Sequence, residues 1–212
     1  EFSRIYQSFL NPKLCLNSNI NNSFEVINFA KENKIKIIYS ATSSALGNNG
    51  KDENESPYTW AKSKNIELIK NYSKWFGLKY ELVYFYNVYG PSQILNGSMA
   101  AVIGIFETQF RKKKPLTVVK PGSQKRDFTH ISDIVRGCYL AMIKGKQNEY
   151  MLCTNKTYSI LQIVKIFNTK YKFLKSRPGD RSGSTTLNNN AKTILGFQAK
   201  IDVKEYIKTL IR

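Results

Sequence analysis

Apolar positions along this chain switch repeatedly between helical and strand-like spacing. From about Ser23 to Asn33 they fall at helical intervals (Phe24, Ile27, Phe29, Ala30), and the run from Ile35 to Tyr39 reads as a buried strand. That strand ends in the small polar stretch Ser40-Ala41-Thr42-Ser43-Ser44, with Gly47 beyond it. Asp52 to Ser56 is an acidic loop. Ser56-Pro57 is a helix start, with serine as N-cap and proline at the first helical position; the helix runs to about Phe76 and Gly77 stops it. Residues 80–89 have strand composition and are closed by Gly90-Pro91. A helix is predicted at about 99–112, then strands at Leu116–Val119 and around Arg126–Thr129 with a Pro121-Gly122 turn between them. Ser132 is a candidate cap for a helix reaching Lys144, followed by a strand at 150–153 and a helix at 159–168. A loop holding Arg177-Pro178-Gly179-Asp180 comes next, and the last helix opens with Asp202 and Glu205 at capping-box spacing.

Strand–helix alternation on this scale predicts an α/β fold, a mostly parallel sheet covered by helices. Such sheets bind ligands beyond the carboxyl ends of their strands. The stretch 40–44 lies at such an end, and so does Asn87. The 212 residues amount to one large domain or one and a half.

Composition removes several classes of protein. A chain that is 42% hydrophobic and 13% aromatic is not a disordered polyelectrolyte. No window approaches the ~18 apolar residues of a membrane span, and the first residues do not resemble a signal peptide. Three scattered cysteines (Cys15, Cys138, Cys153) read as reduced core residues of a cytoplasmic protein. The formal charge is +18, but 26 of the 33 basic residues are lysines spread along the chain. The one dense run, Arg111 to Lys114, falls at a helix end, where cations complement the macrodipole. Nucleic acid is therefore a poor candidate partner, whereas a small phosphate-bearing substrate suits the charge. His130, the single histidine, packs at a strand end in this reading, with no second imidazole to make a metal site.

Tyr58 and Lys62 stand four apart on the best-defined helix, so they share a face. An ammonium beside a phenol lowers the tyrosine pKa from about 10 toward the working pH and makes a proton acceptor for an alcohol. The spacing alone is weak: about 1.6 Tyr-x-x-x-Lys matches are expected by chance in this composition, and Tyr171/Lys175 is a second one. What strengthens the first pair is Thr42, which ends a strand sixteen residues earlier and can face the first turn of the following helix. Its hydroxyl could reach the same substrate alcohol, or simply satisfy its own turn.

Five motifs occur in order: Ser-Ala-Thr-Ser-Ser-Ala-Leu-Gly at 40–47, Ser-Pro-Tyr-Thr-Trp-Ala-Lys at 56–62, Tyr-Phe-Tyr-Asn-Val-Tyr-Gly-Pro at 84–91, Gln-Lys-Arg-Asp-Phe-Thr-His at 124–130 and Arg-Pro-Gly-Asp at 177–180. Together they resemble the nucleotide-sugar epimerases and dehydratases of the extended short-chain dehydrogenase/reductase superfamily, most of all its UDP-glucose 4-epimerase type. The resemblance implies a Rossmann-like fold: residues 1–90 as the remainder of an NAD-binding domain, and 91–212 mainly a smaller C-terminal nucleotide-sugar lobe with segments returning to the first. It implies Thr42, Tyr58 and Lys62 as catalytic residues that also meet the NAD cofactor, with Asn19 and Tyr86 as further cofactor contacts. Asn19 stands in Asn-Ile-Asn-Asn-Ser, where two other positions of the family's Asn-x-x-Gly-Thr differ. It implies Thr42, Asn87, Arg126 and Arg177 as substrate residues, the two arginines clamping a nucleotide diphosphate as planar guanidinium forks do.

The implied reaction is 4-epimerisation of a UDP-sugar of the UDP-glucose/UDP-galactose kind. Ionised Tyr58 takes the 4-hydroxyl proton while a hydride leaves C4 for NAD; the 4-keto sugar turns over and the hydride returns to its other face. The family's dehydratases carry Asp-Glu after the catalytic threonine, and its decarboxylating members a Glu two residues after it. Here those positions are Ser43 and Ser44. Leu46 replaces a usual aromatic, which bears on the sugar pocket. A dehydratase or reductase on the same scaffold, and a non-catalytic or nucleic-acid-binding relative, remain the alternatives. A homodimer is expected, with the 56–76 helix as a contributor. The glycine-rich turn that cradles the dinucleotide pyrophosphate is not in the sequence, which begins at Glu1; a fragment lacking its N-terminus, inactive alone, is the expectation.

Overall fold

A computed structural model describes residues 1–46, 52–179, 183 and 186–211. Gly47 and Asp180, each expected to close a motif, lie outside the described residues. Helices α1 (Ile5–Leu10) and α2 (Pro12–Leu16) open the chain and pass through a π-type turn at Asn17–Asn21 into α3 (Asn22–Glu32). Only α3 was expected; α1 and α2 are too short to display a helical period.

Strand β1 (Ile37–Thr42) begins two residues later than expected and takes in Ser40, Ala41 and Thr42. The reason is the parallel ladder to β2 (Tyr80–Phe85), which runs unbroken from Ile37 opposite Tyr80 to Thr42 opposite Phe85. Small hydroxyl side chains do not interrupt a ladder that the backbone makes. Between the two strands, α4 (Pro57–Phe76) has the expected bounds. Ser56 Oγ accepts from the Thr59 N–H at 3.1 Å, and the Ser56 N–H donates to Thr59 Oγ1 at 3.0 Å. Gly77 ends the helix at φ 71°, which its missing Cβ permits. Strand β2 stops at Phe85, short of the expected 89, because Asn87 turns to φ 23° and leaves the ladder.

The chain continues through α5 (Val102–Arg111), β3 (Leu116–Val119), β4 (Lys125–Asp127), α6 (Ile131–Lys144), β5 (Glu149–Leu152), β6 (Thr157–Ser159), α7 (Ile160–Phe167), β7 (Tyr171–Leu174), α8 (Asn190–Thr193) and α9 (Val203–Leu210). His130, not Ser132, caps α6: its Nδ1 accepts from the Ser132 N–H at 3.2 Å. Asp202 caps α9 through the Lys204 N–H, while Glu205 pairs with Lys208 instead of closing a capping box. Strands β6 and β7, three and four residues long, are not among the expected elements.

The fold is Rossmann-like. Strands β1, β2 and β5 form a parallel sheet in the order β1-β2-β5. Leu82 and Tyr84 face Ile27, Ile66 and Ile69 of α3 and α4, and Val83 faces Ile134 and Ala141 of α6 on the opposite side. That alternation is the two-residue period of a strand buried on both faces. A further apolar cluster, including Phe106, Leu116, Phe128, Ile163 and Ile207, joins α5, α7 and α9 to the β3–β7 pair beyond the sheet. Gly90 links the two regions at φ 138°; a Cβ there would meet Ile131 Cγ2 at 2.7 Å and His130 Nε2 at 2.9 Å. No helix of the described residues is long and apolar enough to cross a membrane, and the three cysteines are free. Among the described residues no cluster of three or more His, Cys, Asp or Glu could hold a metal ion.

Candidate active site

The carboxyl ends of β1 and β2 open into a cavity of about 620 Å³. Six residues singled out in the sequence line it: Thr42, Tyr58, Lys62, Asn87, Arg126 and Arg177. Ser43 and Ser44 stand on the same wall.

The end of β1 delivers Thr42, and its Oγ1 accepts from the Ser44 N–H at 3.1 Å. The hydroxyl thus satisfies its own turn and still keeps an O–H to donate. The capping box and Pro57 fix the first turn of α4, and this places Tyr58 and Lys62 on one helical face. The Tyr58 N–H donates to Ser8 Oγ at 3.3 Å, tying that turn to α1. Lys62 is only 2% exposed, and its Nζ lies 4.1 Å from the centroid of the Tyr39 ring. The Glu1 carboxylate grips the same Nζ with both oxygens, at 2.7 and 2.9 Å. Burial pulls the Lys62 pKa down, and Glu1 opposes that pull. The ammonium expected beside the phenol is therefore also half of an ion pair.

Asn87 bridges the sheet to the second region: its Nδ2 donates to the Asp127 carbonyl at 2.8 Å. Asp127 is itself buried, accepting from the Thr154 N–H at 3.0 Å and the Thr154 hydroxyl at 2.8 Å. These bonds hold β4 and hence Arg126, whose Nη1 donates to the Lys125 carbonyl at 2.9 Å. Arg177 reaches the cavity from a loop and lies 5.2 Å from the Tyr6 ring centroid. Gly179 allows this: it has φ 75°, and a Cβ would come within 2.5 Å of Ile5 Cγ2.

Two expected cofactor contacts are not on the cavity wall. Asn19 is fully buried; its Oδ1 accepts from the Phe2 N–H and its Nδ2 donates to the Phe2 carbonyl, both at 2.8 Å. Its amide pins the first residues of the chain beside the cavity. Tyr86 is fully buried behind the sheet, with its hydroxyl 3.5 Å from Met151 Sδ. The alternation of β2, continued one residue past its end, turns Tyr84 and Tyr86 into the α4 side of the core. Conversely, Glu1 and Arg4 line the cavity although no motif pointed to them. They sit in a short opening segment whose spacing has no periodic signal.

A parallel sheet with helices on both faces and a polar cavity at the carboxyl ends of its strands is the architecture of the doubly wound α/β class, which binds nucleotides there. Residues 3–153 match the NAD dependent epimerase/dehydratase family, and the chain belongs to it. A putative UDP-glucose 4-epimerase of Methanocaldococcus jannaschii is 29% identical over 161 residues, covering 74% of this chain and 52% of its own. The solved UDP-glucose 4-epimerase of Thermotoga maritima, with UDP-glucose, is 27% identical, covers 96% of this chain and 71% of its own, and aligns with a TM-score of 0.88. The UDP-glucuronic acid 4-epimerase of Bacillus cereus, solved with UDP-glucuronic acid and NAD, is 26% identical over 92% of this chain and 68% of its own, with a TM-score of 0.81. The chain spans about half to two-thirds of the length of the curated relatives it matches. NAD is the cofactor of this family. The donor set at the β1–α4 wall, an ammonium, a phenol and a threonine hydroxyl, fits a ribose and a reacting alcohol.

Proposed function

We propose that the whole protein carries out NAD-dependent 4-epimerisation of a UDP-linked hexose through a 4-keto sugar. Arg126 and Arg177 hold the diphosphate, and Asn87 orients the sugar between them and the sheet. Thr42 donates to the 4-hydroxyl, Tyr58 takes its proton, and Lys62 holds the ribose next to the nicotinamide. NAD, held by Lys62 and Tyr58, would supply the hydride acceptor and donor for C4. Between these steps the sugar turns while tethered by its diphosphate. Residues 1–90 serve as part of the NAD-binding domain and 91–212 mainly as the sugar lobe.

The observation that carries this reading is the convergence of Thr42, Tyr58 and Lys62 with Arg126 and Arg177 on one cavity. Epimerisation is favoured over 4,6-dehydration because Ser43 and Ser44 line the cavity at the two positions where the dehydratases that the chain resembles carry Asp-Glu, and the Glu1 carboxylate is engaged by Lys62. A cytoplasmic site fits the three free thiols. A homodimer would cover the exposed aromatic cluster of α3 and α4, where Phe24, Trp75 and Phe76 surround Tyr72.

The test is Tyr58→Phe in the full-length protein. Turnover should fall by about 10²–10⁴-fold, with UDP-sugar binding retained. Persistence of most of the activity would remove Tyr58 as the base, and release of a 4-keto-6-deoxy sugar would replace epimerisation with dehydration.

A further inference from the structure

Carboxylates are missing from two long stretches of the chain. Residues 108–126 hold seven basic side chains and no acidic one, and residues 150–179 hold six and none. The pairing of β3 with β7 brings these stretches together, with Thr117 opposite Lys172 and Val119 opposite Leu174. Thr117 and Val119 line the cavity, so Lys172 stands on the cavity face of this pair, one strand further out. The Lys120 N–H donates to the Leu174 carbonyl at 3.1 Å, and Lys120 and Lys175 therefore leave the sheet side by side. Lys125 sits between Gln124 and Arg126, which both line the cavity. Lys120, Lys125, Lys172 and Lys175 are all exposed, and none of them is on the cavity wall itself. Among the described residues, the ion pairs of this region are Arg111–Glu107, Lys156–Asp202 and Lys208–Glu205, and the four take part in none of them. The opposite rim has the other sign. There the turn Asp52–Asn54 packs against Ser43–Leu46 at the end of β1, and Glu53 and Glu55 are exposed.

We infer that these four lysines form an encounter surface for the nucleotide sugar: they draw its diphosphate out of solution and pass it to Arg126 and Arg177 without touching it in the final complex. The inference rests on the nucleotide-sugar reading and goes beyond it by separating capture from holding. Such a ligand carries its negative charge on the diphosphate, at one end of an uncharged sugar. In a field that runs from a basic rim to an acidic one it arrives phosphate first against β3 and β7, which leaves the sugar toward Thr42 and Tyr58. Range decides which lysines count. The Debye length is about 8 Å at physiological ionic strength, so charges beside the lining residues act on a ligand at the mouth. Lys34, Lys79, Lys144 and Lys146 are exposed near the amino ends of β1, β2 and β5, about 20 Å away along the strands, and are screened. The attraction is therefore local to one rim and does not follow from net charge alone.

Stopped-flow association of a fluorescently labelled UDP with the full-length, NAD-loaded protein tests this. The association rate constant should fall by about 10-fold or more as salt rises from about 20 mM to about 500 mM. Replacing Lys120, Lys125, Lys172 and Lys175 together by Gln should lower it by about 10-fold at low salt, with dissociation changed by less than about twofold and the difference gone at high salt. The same four-charge change at Lys34, Lys79, Lys144 and Lys146 should leave association within about twofold of the parent. A salt-insensitive association rate in the unmodified protein would overturn the inference without any variant and leave the nucleotide-sugar reading intact. An equal drop in both fourfold variants would also overturn it, by assigning the effect to net charge. So would faster dissociation from the rim variant, since the lysines would then be contacts of the bound ligand. If the labelled UDP did not bind, the nucleotide-sugar reading would fall and the inference with it.

Discussion

The two walls of the cavity are built in different ways. On one wall, Tyr58 and Lys62 lie four residues apart on a twenty-residue helix whose first turn is closed by Ser56, Pro57 and Thr59. Helix geometry alone puts them on a common face. On the other wall, Arg126 sits on a three-residue strand and Arg177 in a loop. Their positions depend on contacts distant in sequence: Asn87 with the Asp127 carbonyl, Asp127 with Thr154, and Arg177 with Tyr6. The proposed proton chemistry is thus placed by local structure, whereas the proposed anion binding is placed by the docking of separate segments. Substitutions far from the cavity should therefore disturb binding sooner than they disturb the proton-transfer pair.

The largest effect expected is the Tyr58→Phe loss of turnover described above, with binding intact. Next, Arg177→Met and Arg126→Met should each weaken UDP binding by about 2–3 kcal/mol, the cost of losing one charge-assisted clamp. Calorimetry on both variants would show whether the clamp is shared; an unaltered Kd in either would exclude that arginine from the diphosphate site.

Stability offers a second way to sharpen the contrast. Asp133, buried on α6, accepts from the backbone N–H groups of Lys200 and Ile201 and pairs with Arg136 at 2.8 Å. Burial pushes its pKa up, but those partners outweigh it and hold the carboxyl below its ordinary value. The depressed folded pKa means its contribution is complete above the unfolded value of about 3.9 and is lost as pH falls through the folded value. Asp133→Asn should thus cost about 2 kcal/mol at neutral pH. Denaturant midpoints of the variant and parent should converge in acid, and a constant gap down to low pH would contradict this linkage. The smallest effect is expected for Ser56→Ala, about 1 kcal/mol from the lost cap. It should appear as a lower Tm with UDP affinity unchanged, because the clamp lies on the other wall.

Legibility followed the same division. The α4 bounds could be read from Ser56-Pro57 and Gly77 because capping is decided by adjacent residues. The start and end of β1 could not, since a strand extends as far as its partner β2 pairs with it. Strands β6 and β7 carry too few residues for a period, and Ser132 looked like a cap until the imidazole of His130 occupied its N–H. Among the site residues, Tyr86 and Asn19 carried motif signals, yet the pleat of β2 buries one and the amide pairing with Phe2 engages the other. Arg4 and Glu1 carried none, because their place on the cavity wall comes from where the opening segment lands against α4.

The amino-acid order by itself determined the alternation of strands and helices, the hydroxyl–phenol–ammonium set and the family resemblance, since each rests on short spacings that local backbone geometry converts directly into position. Only the tertiary structure decided which cations face the cavity and which of them already has a carboxylate partner. Charge balance is a property of groups brought together across long separations, and no spacing along a chain reports it.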